Sequence, residues 1–229
     1  NPSINSGLIL SEAEGIKMQN SKILKEKYGI ERDYILFVGT IQPRKNLLRL
    51  IEASAKILRY KDTKISSNKE SPNILISQYP NISLVIIGKK GWLYEDILEA
   101  PKKFGVEDKV KFLDFVPDED LPFLYKNALC FVLPSLYEGF GLPVLEAMQY
   151  GCPVITSNVS SLPEAGGEAA LYVNPEDVSD IANKLKLMIE KPQLRKELIE
   201  KGYEQVKKFS WEKTAKETLN VLQKVARNE

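Results

Sequence analysis

The sequence predicts an α/β fold: a Rossmann-like, doubly wound parallel sheet with additional helices at its C-terminal end. Three observations lead there. Short β-rich runs alternate with amphipathic stretches of helical period along most of the chain, the pattern of a parallel sheet with helices on both faces. Runs such as LVIIG at 84–88 are apolar throughout, as strands buried on both faces require. The chain has 229 residues, is 43% hydrophobic and carries a net charge of +1, which is ample for one large core in an ordinary globular domain.

Residues 34–40 (YILFVGT) read as the first strand. A helix follows over 45–60, with Leu47, Leu48, Ile51, Ala55 and Leu58 at helical spacing. Residues 82–88 (ISLVIIG) form the second strand, 94–104 a helix, 110–115 the third strand and 118–126 a short helix. The fourth strand is 129–134 (LCFVLP). A sharp loop then leads into a helix over 143–150, with Pro143 at its first position and Gly151 just past its end. Glu146 falls in the first turn of that helix. Strands at 153–156 and 170–173 complete the sheet. Helices are expected over 177–190, 192–208 and 211–226, with Asp177 and Ser210 as N-caps. Two regions stand outside this pattern. Residues 1–32 form a polar lead-in with one weak helix near 21–28, and 61–80 read as a polar surface insertion. The organisation is a lead-in at 1–32, a core domain at 33–209 and a terminal helix at 210–229.

Composition excludes several functions. The near-neutral charge gives no footprint for nucleic acid bound through bulk charge. The chain has no histidine, so Ser-His-Asp catalysis and His-ligated zinc are absent. Cys130 and Cys152 sit in or beside apolar runs and read as reduced core thiols. No apolar run approaches the ~20 residues of a transmembrane helix. The sequence opens without methionine or a signal peptide, and is expected to be a fragment or a trimmed product.

In open parallel sheets, ligands bind beyond the carboxyl ends of the strands, where strand order reverses. For the order 3-2-1-4-5-6, strands one and four are neighbours at that point. The loop after strand one is GTIQPRKN, from Gly39 to Asn46; the loop after strand four is SLYEGFGL, from Ser135 to Leu142. Gly139 and Gly141 allow a backbone path that larger residues resist. The amides of Phe140, Gly141 and Leu142 precede a helix start, a natural phosphate site. Arg44 and Lys45 either lie in solvent at a helix start or face a pyrophosphate. Glu138 and Glu146 are either ordinary acids, one solvated and one complementing the helix dipole, or acceptors for hydroxyl groups on the two sides of a phosphate. Ribose, pyrophosphate and hexose, in that order, make a nucleotide-sugar. GTIQPRKN is not GxGxxG, so the NAD fingerprint is missing. There is no Walker A sequence, no DxD pair suited to a sugar-nucleotide metal and no metal-ligand cluster.

The run PSLYEGFGLPVLEAMQYGCPVITSNVSSLPEAGGEAALYVNPED resembles the donor-domain core of the retaining GT-B glycosyltransferases of family 4, with Glu138 and Glu146 matching the E-x7-E motif. VGTIQPRKNL and FSWEKTA are similar to family segments too, so the resemblance covers most of 33–226. It implies that Glu138 contacts donor-sugar hydroxyls near the reacting centre and that Glu146 holds the ribose. The amides of Phe140, Gly141 and Leu142 would bind phosphate or sugar, and Lys45 would neutralise the leaving pyrophosphate. Gly39 and Thr40 would line the site, and the loop around Val116 and Pro117 would meet the base. Many family members have Arg where Thr40 stands, a charge that Arg44 would replace.

The resemblance further implies a transferase with no bound metal or cofactor, working in the cytoplasm, with any membrane contact made through a missing N-terminal acceptor domain. The terminal helix after Ser210 would pack towards that domain. The expected function is transfer of a hexose, mannose by local resemblance, from a nucleoside-diphosphate sugar to a glycan or lipid-linked acceptor in polysaccharide biosynthesis. A nucleotide-sugar epimerase on the same scaffold and a non-catalytic nucleotide-sugar-binding module are the alternatives.

Overall fold

The structure is a computed structural model and describes residues 22–31, 33–58, 60–63, 74–77, 79 and 81–227. Its elements are a helix α1 (22–28), β1 (Asp33–Val38), a 3-10 turn at Pro43–Lys45 and α2 (Leu47–Leu58). A hairpin follows, β2 (Tyr60–Thr63) and β3 (Ile74–Ser77), then β4 (Ile82–Ile87), α3 (Glu95–Phe104), β5 (Val110–Leu113), α4 (Leu121–Asn127) and β6 (Cys130–Leu133). The second half comprises α5 (Leu142–Gln149), β7 (Val154–Ser157), α6 (Leu162–Gly166), β8 (Ala170–Val173), α7 (Val178–Glu190), α8 (Pro192–Val206) and α9 (Trp211–Ala226).

The main sheet runs β5-β4-β1-β6-β7-β8, every pair parallel. This is the expected 3-2-1-4-5-6 order. β1 pairs with β4 along its whole length and with β6 through Ile35↔Cys130 and Leu36↔Phe131. Order reverses between β1 and β6, so successive crossovers leave helices on opposite faces. α2 packs with α3 and α7; α5 packs with α6 and α8. The centre is dry: Ile35, Leu36 and Phe37 of β1, Leu84, Val85 and Ile86 of β4, and Cys130, Phe131, Val132 and Leu133 of β6 are fully buried. Both cysteines are free and buried, as expected.

Several details differ from the sequence reading. The insertion at 61–80 contributes an antiparallel hairpin, with Tyr60↔Ser77 and Thr63↔Ile74 in register; residues 64–73, 78 and 80 lie outside the described residues. Part of the lead-in belongs to the packed unit, because Leu24, Tyr28 and Ile30 are buried in the core. Lys27 Nζ and Tyr28 Oη both donate to Asp120 Oδ2 at 2.5 Å, which fastens α1 to the start of α4. Helix α6, only five residues long, and the 3-10 turn after it at Gly167–Ala169 were not predicted.

The two predicted caps form. The Asp177 side chain accepts from the Ser179 and Asp180 amides, and Ser210 accepts from the Lys213 amide. α9 buries none of its residues. Trp211, Leu219, Leu222 and Val225 are exposed along it.

Candidate functional site

The carboxyl ends of β1, β4 and β6 meet at one end of the sheet. Gly39 and Gly88 follow β1 and β4, and the Gly39 amide donates to Ile87 O at 2.9 Å. A Cβ on Gly88 would stand 2.0 Å from Gly39 O, and its φ is +153°. Only glycine lets the two strand ends approach this closely. Ile41 then donates to Lys89 O and accepts from the Gly91 amide, each at 2.9 Å, so the two loops leave the sheet side by side.

The loops after β1 and β6 are joined directly. The Leu136 amide donates to Arg44 O at 2.9 Å. Asn46, at φ 60°, caps the 3-10 turn and donates to Pro134 O at 2.9 Å and Pro175 O at 2.7 Å. A left-handed backbone suits asparagine better than most residues. The turn therefore fixes where Arg44 and Lys45 point.

Both cations reach Glu138. Lys45 Nζ donates to Oε1 at 2.6 Å and Arg44 Nη1 to Oε2 at 2.8 Å. Ser135 Oγ donates to Oε1 at 2.7 Å, and Arg44 also donates to Tyr137 O. Glu138 and Lys45 are nearly buried. Burial pushes the Glu138 carboxyl upward, but hydrogen bonds from Lys45, Ser135 and Arg44 outweigh it and hold the group below the ordinary glutamate range. The site therefore holds a charged, oriented carboxylate with two cations beside it. Lys45 retains further N–H donors after this contact, and so does the Arg44 guanidinium.

Ser160 and Ser161, in the loop after β7, were not singled out as site residues by the sequence reading. Ser160 Oγ donates to Glu138 O at 2.5 Å and accepts from its amide at 3.3 Å; Ser161 Oγ donates to Glu138 O at 3.0 Å. Ser160 lies at φ 59°. Two serines before a proline-containing turn carry no distinctive signal, and only the tertiary arrangement brings them to Glu138.

Glu146 is half-buried on α5 and accepts from Tyr125 Oη at 3.2 Å. The expectation that it lies in the first turn is corrected. α5 begins at Leu142, one residue earlier than predicted, and no acid occupies its first turn. Dipole complementation, which fades beyond the first turn, therefore explains Glu146 poorly. Pro143 takes the second helical position. Gly141 is the N-cap at φ 104°, and no side chain caps the helix. A Cβ there would meet Leu162 Cδ2 at 2.8 Å. The requirement at Gly139 is also corrected: its φ is not positive, and an added Cβ would meet nothing within 4 Å.

The remaining predicted residues lie around this centre. Phe140 packs edge-on against Phe209 with centroids 5.5 Å apart, tying the loop to the segment before α9. Leu142 and Thr40 are exposed beside the crevice. Val116 is buried and Pro117 half-buried beyond the end of β5, two strands from β1, so they stand apart from the Glu138 cluster. Among the described residues, no three His, Cys, Asp or Glu side chains gather into a group able to hold a metal ion. No helix of the described residues is long and apolar enough to cross a membrane.

The chain is similar in sequence and fold to known proteins. The chain is 38% identical over 196 residues to O-antigen chain mannosyltransferase B of Escherichia coli, covering 85% of this chain and 47% of that protein. It thus spans about half the length of this curated relative. Among solved structures, the C-terminal domain of a glycosyl transferase group 1 family protein from Francisella tularensis superposes with a TM-score of 0.65 at 26% identity, over 82% of this chain and 91% of that one. Anabaena HepE, solved in complex with UDP-glucose, shares the fold, with a TM-score of 0.70 at 20% identity over 89% of this chain and 52% of that one. The sheet order, the flanking helices and these neighbours place the fold in the Rossmann-like class of GT-B glycosyltransferases. The family described as glycosyl transferases group 1 matches residues 20–205, and the chain belongs to it.

Proposed function

We propose that this chain is the donor-binding half of a retaining hexosyltransferase that takes a nucleoside-diphosphate sugar, GDP-mannose in the first instance, and transfers the sugar to a glycan or lipid-linked acceptor. The observation that carries this reading is the joining of the β1 and β6 loops around Glu138, at the switch point of the sheet. A diphosphate placed there faces the uncapped start of α5, whose amides and dipole favour an anion. Lys45 and Arg44 stand beside the same position, ready to offset negative charge that builds on the leaving diphosphate. Glu138, ionised and clamped at both carboxylate and main chain, has three donors on its carboxylate and accepts from a hydroxyl of the sugar at the remaining position. Glu146, one turn into α5, accepts from the ribose. Val116 and Pro117 meet the base through the main chain after β5, while Gly39 and Thr40 line the wall. No metal or cofactor is assigned a role.

Mannose is favoured by the resemblance to O-antigen chain mannosyltransferase B. UDP-glucose, which Anabaena HepE binds, is the competing donor type. The acceptor pocket is assigned to an N-terminal domain beyond this chain, towards which α9 turns its exposed apolar residues. Core sheet and insertion form the donor domain at 33–209, α9 the crossover at 210–229. Peripheral membrane contact, if the acceptor is lipid-linked, is assigned to the other half. An epimerase on this scaffold would bind the same donors, and analysis of the product separates the two. The binding reading is tested by mapping a nucleoside-diphosphate sugar onto the chain.

A further inference from the structure

Tyr125, on the short helix α4, is fully buried. Its ring is held on two sides: Phe131 of β6 meets it edge-on with centroids 5.5 Å apart, and Tyr150, at the end of α5, stacks on it at 6.1 Å. The hydroxyl emerges from this aromatic slot and donates to Glu146 Oε2 at 3.2 Å. Burial, and after it the charge of Glu146, drive the phenol far above its ordinary range, so it stays protonated and acts as a donor. A locked ring gives the hydroxyl one position. Glu146, by contrast, is half-buried on a helix and has three rotatable bonds of its own.

We propose that Tyr125 is a positioning residue, whose hydroxyl holds one oxygen of Glu146 so that the carboxylate presents its remaining acceptor sites to the ribose of the donor. This rests on the reading of Glu146 as the ribose acceptor. A carboxylate has about four acceptor positions, so one bond from Tyr125 leaves room for both ribose hydroxyls. The phenol supplies no contact to the nucleotide. Its effect is confined to the rotamer of Glu146, and therefore to the part of the affinity that comes from ribose hydroxyls.

The test measures binding of GDP or UDP, whichever the chain takes, and of its 2′,3′-dideoxy analogue, to the native chain, Tyr125→Phe and Glu146→Gln. Phenylalanine keeps the ring between Phe131 and Tyr150 and removes only the hydroxyl. The expected result is roughly fivefold weaker binding of the ribonucleotide by Tyr125→Phe, the size of one net hydrogen bond, with the dideoxy analogue unaffected. Glu146→Gln should show the same selectivity with a larger loss. Equal weakening of both ligands by Tyr125→Phe means a structural role and overturns the proposal. Native ribonucleotide binding by Tyr125→Phe, while Glu146→Gln is impaired, overturns it and leaves the ribose reading standing. No ribose-dependent loss in Glu146→Gln removes the ribose reading and this proposal with it. Should Tyr125→Phe not fold, 3-fluorotyrosine at position 125 keeps the donor and reports by 19F resonance. A shift with the ribonucleotide and none with the dideoxy analogue supports the proposal; equal shifts overturn it.

Discussion

Replacing Lys45 with methionine separates the contribution of its ammonium from that of its buried stem. Methionine fills the space of the aliphatic chain and removes the donor that lies 2.6 Å from Glu138 Oε1. Stripping one partner from a buried ion pair costs about 3–5 kcal/mol when the other charge is left alone. Glu138 is not left alone, since Ser135 and Arg44 still donate at 2.7 and 2.8 Å. The loss therefore falls towards that of one charged hydrogen bond, about 2 kcal/mol, or roughly 4–8 °C in melting temperature for a domain of this size. Arg44→Met should cost less, under about 1 kcal/mol, because its side chain is 36% exposed and screened by water.

The pH dependence adds a second signature to the same experiment. The native Glu138 carboxyl binds its proton less tightly than in the unfolded chain. Its contribution is complete above the ordinary glutamate range, about pH 4.3, and is lost as pH falls below that through the folded-state value. In Lys45→Met this acid-side loss shrinks, because burial then opposes ionisation with fewer donors against it. Urea unfolding between about pH 3 and about pH 7 measures both effects. A Lys45→Met chain within ~0.5 kcal/mol of native, or an Arg44→Met chain hurt more than it, refutes this account of the cluster.

Two further predictions concern the proposed function. Glu146→Ala should weaken nucleoside-diphosphate binding with or without the sugar, by about 1.5–3 kcal/mol, whereas Glu138→Ala should leave the nucleoside diphosphate nearly unaffected and lower the affinity of the sugar-nucleotide; calorimetry with equal losses in both variants contradicts the assignment. On the two-domain reading, this chain on its own should bind donor and form no glycoside from radiolabelled GDP-mannose and a panel of acceptors, because alignment of the two reactants supplies ~7–11 kcal/mol of barrier reduction; efficient transfer contradicts that reading.

The strands were legible in the sequence because they follow from regular features, and the pairing of the two loops followed once the common strand order of this fold class was taken. Apolar runs mark buried strands, and the 3-2-1-4-5-6 order puts the β1 and β6 ends together whatever the loops contain. The contacts within the site were less legible. Arg44 and Lys45 were set against a phosphate on charge alone, and their bonds to Glu138 depend on the left-handed turn at Asn46 and its anchors on Pro134 and Pro175. The bonds from Ser160 and Ser161 join residues 22 and 23 positions from Glu138, a separation no local pattern reveals. Gly139 and Gly141 look alike in GFG, yet only Gly141 has positive φ and a crowded Cβ position. Helix α6 has five residues, too few for a helical period to show.

The location of the nucleotide tests the central claim most directly. The measurement is a chemical-shift map or a crystal structure of the chain with GDP-mannose, and with UDP-glucose as the alternative donor. The account predicts a diphosphate between the Gly39–Lys45 and Glu138–Leu142 loops, within hydrogen-bonding reach of the first amides of α5 and of Lys45 or Arg44, with the sugar on the Glu138 side and the ribose on the Glu146 side. A nucleotide bound elsewhere on the chain, or no binding of either donor, contradicts it.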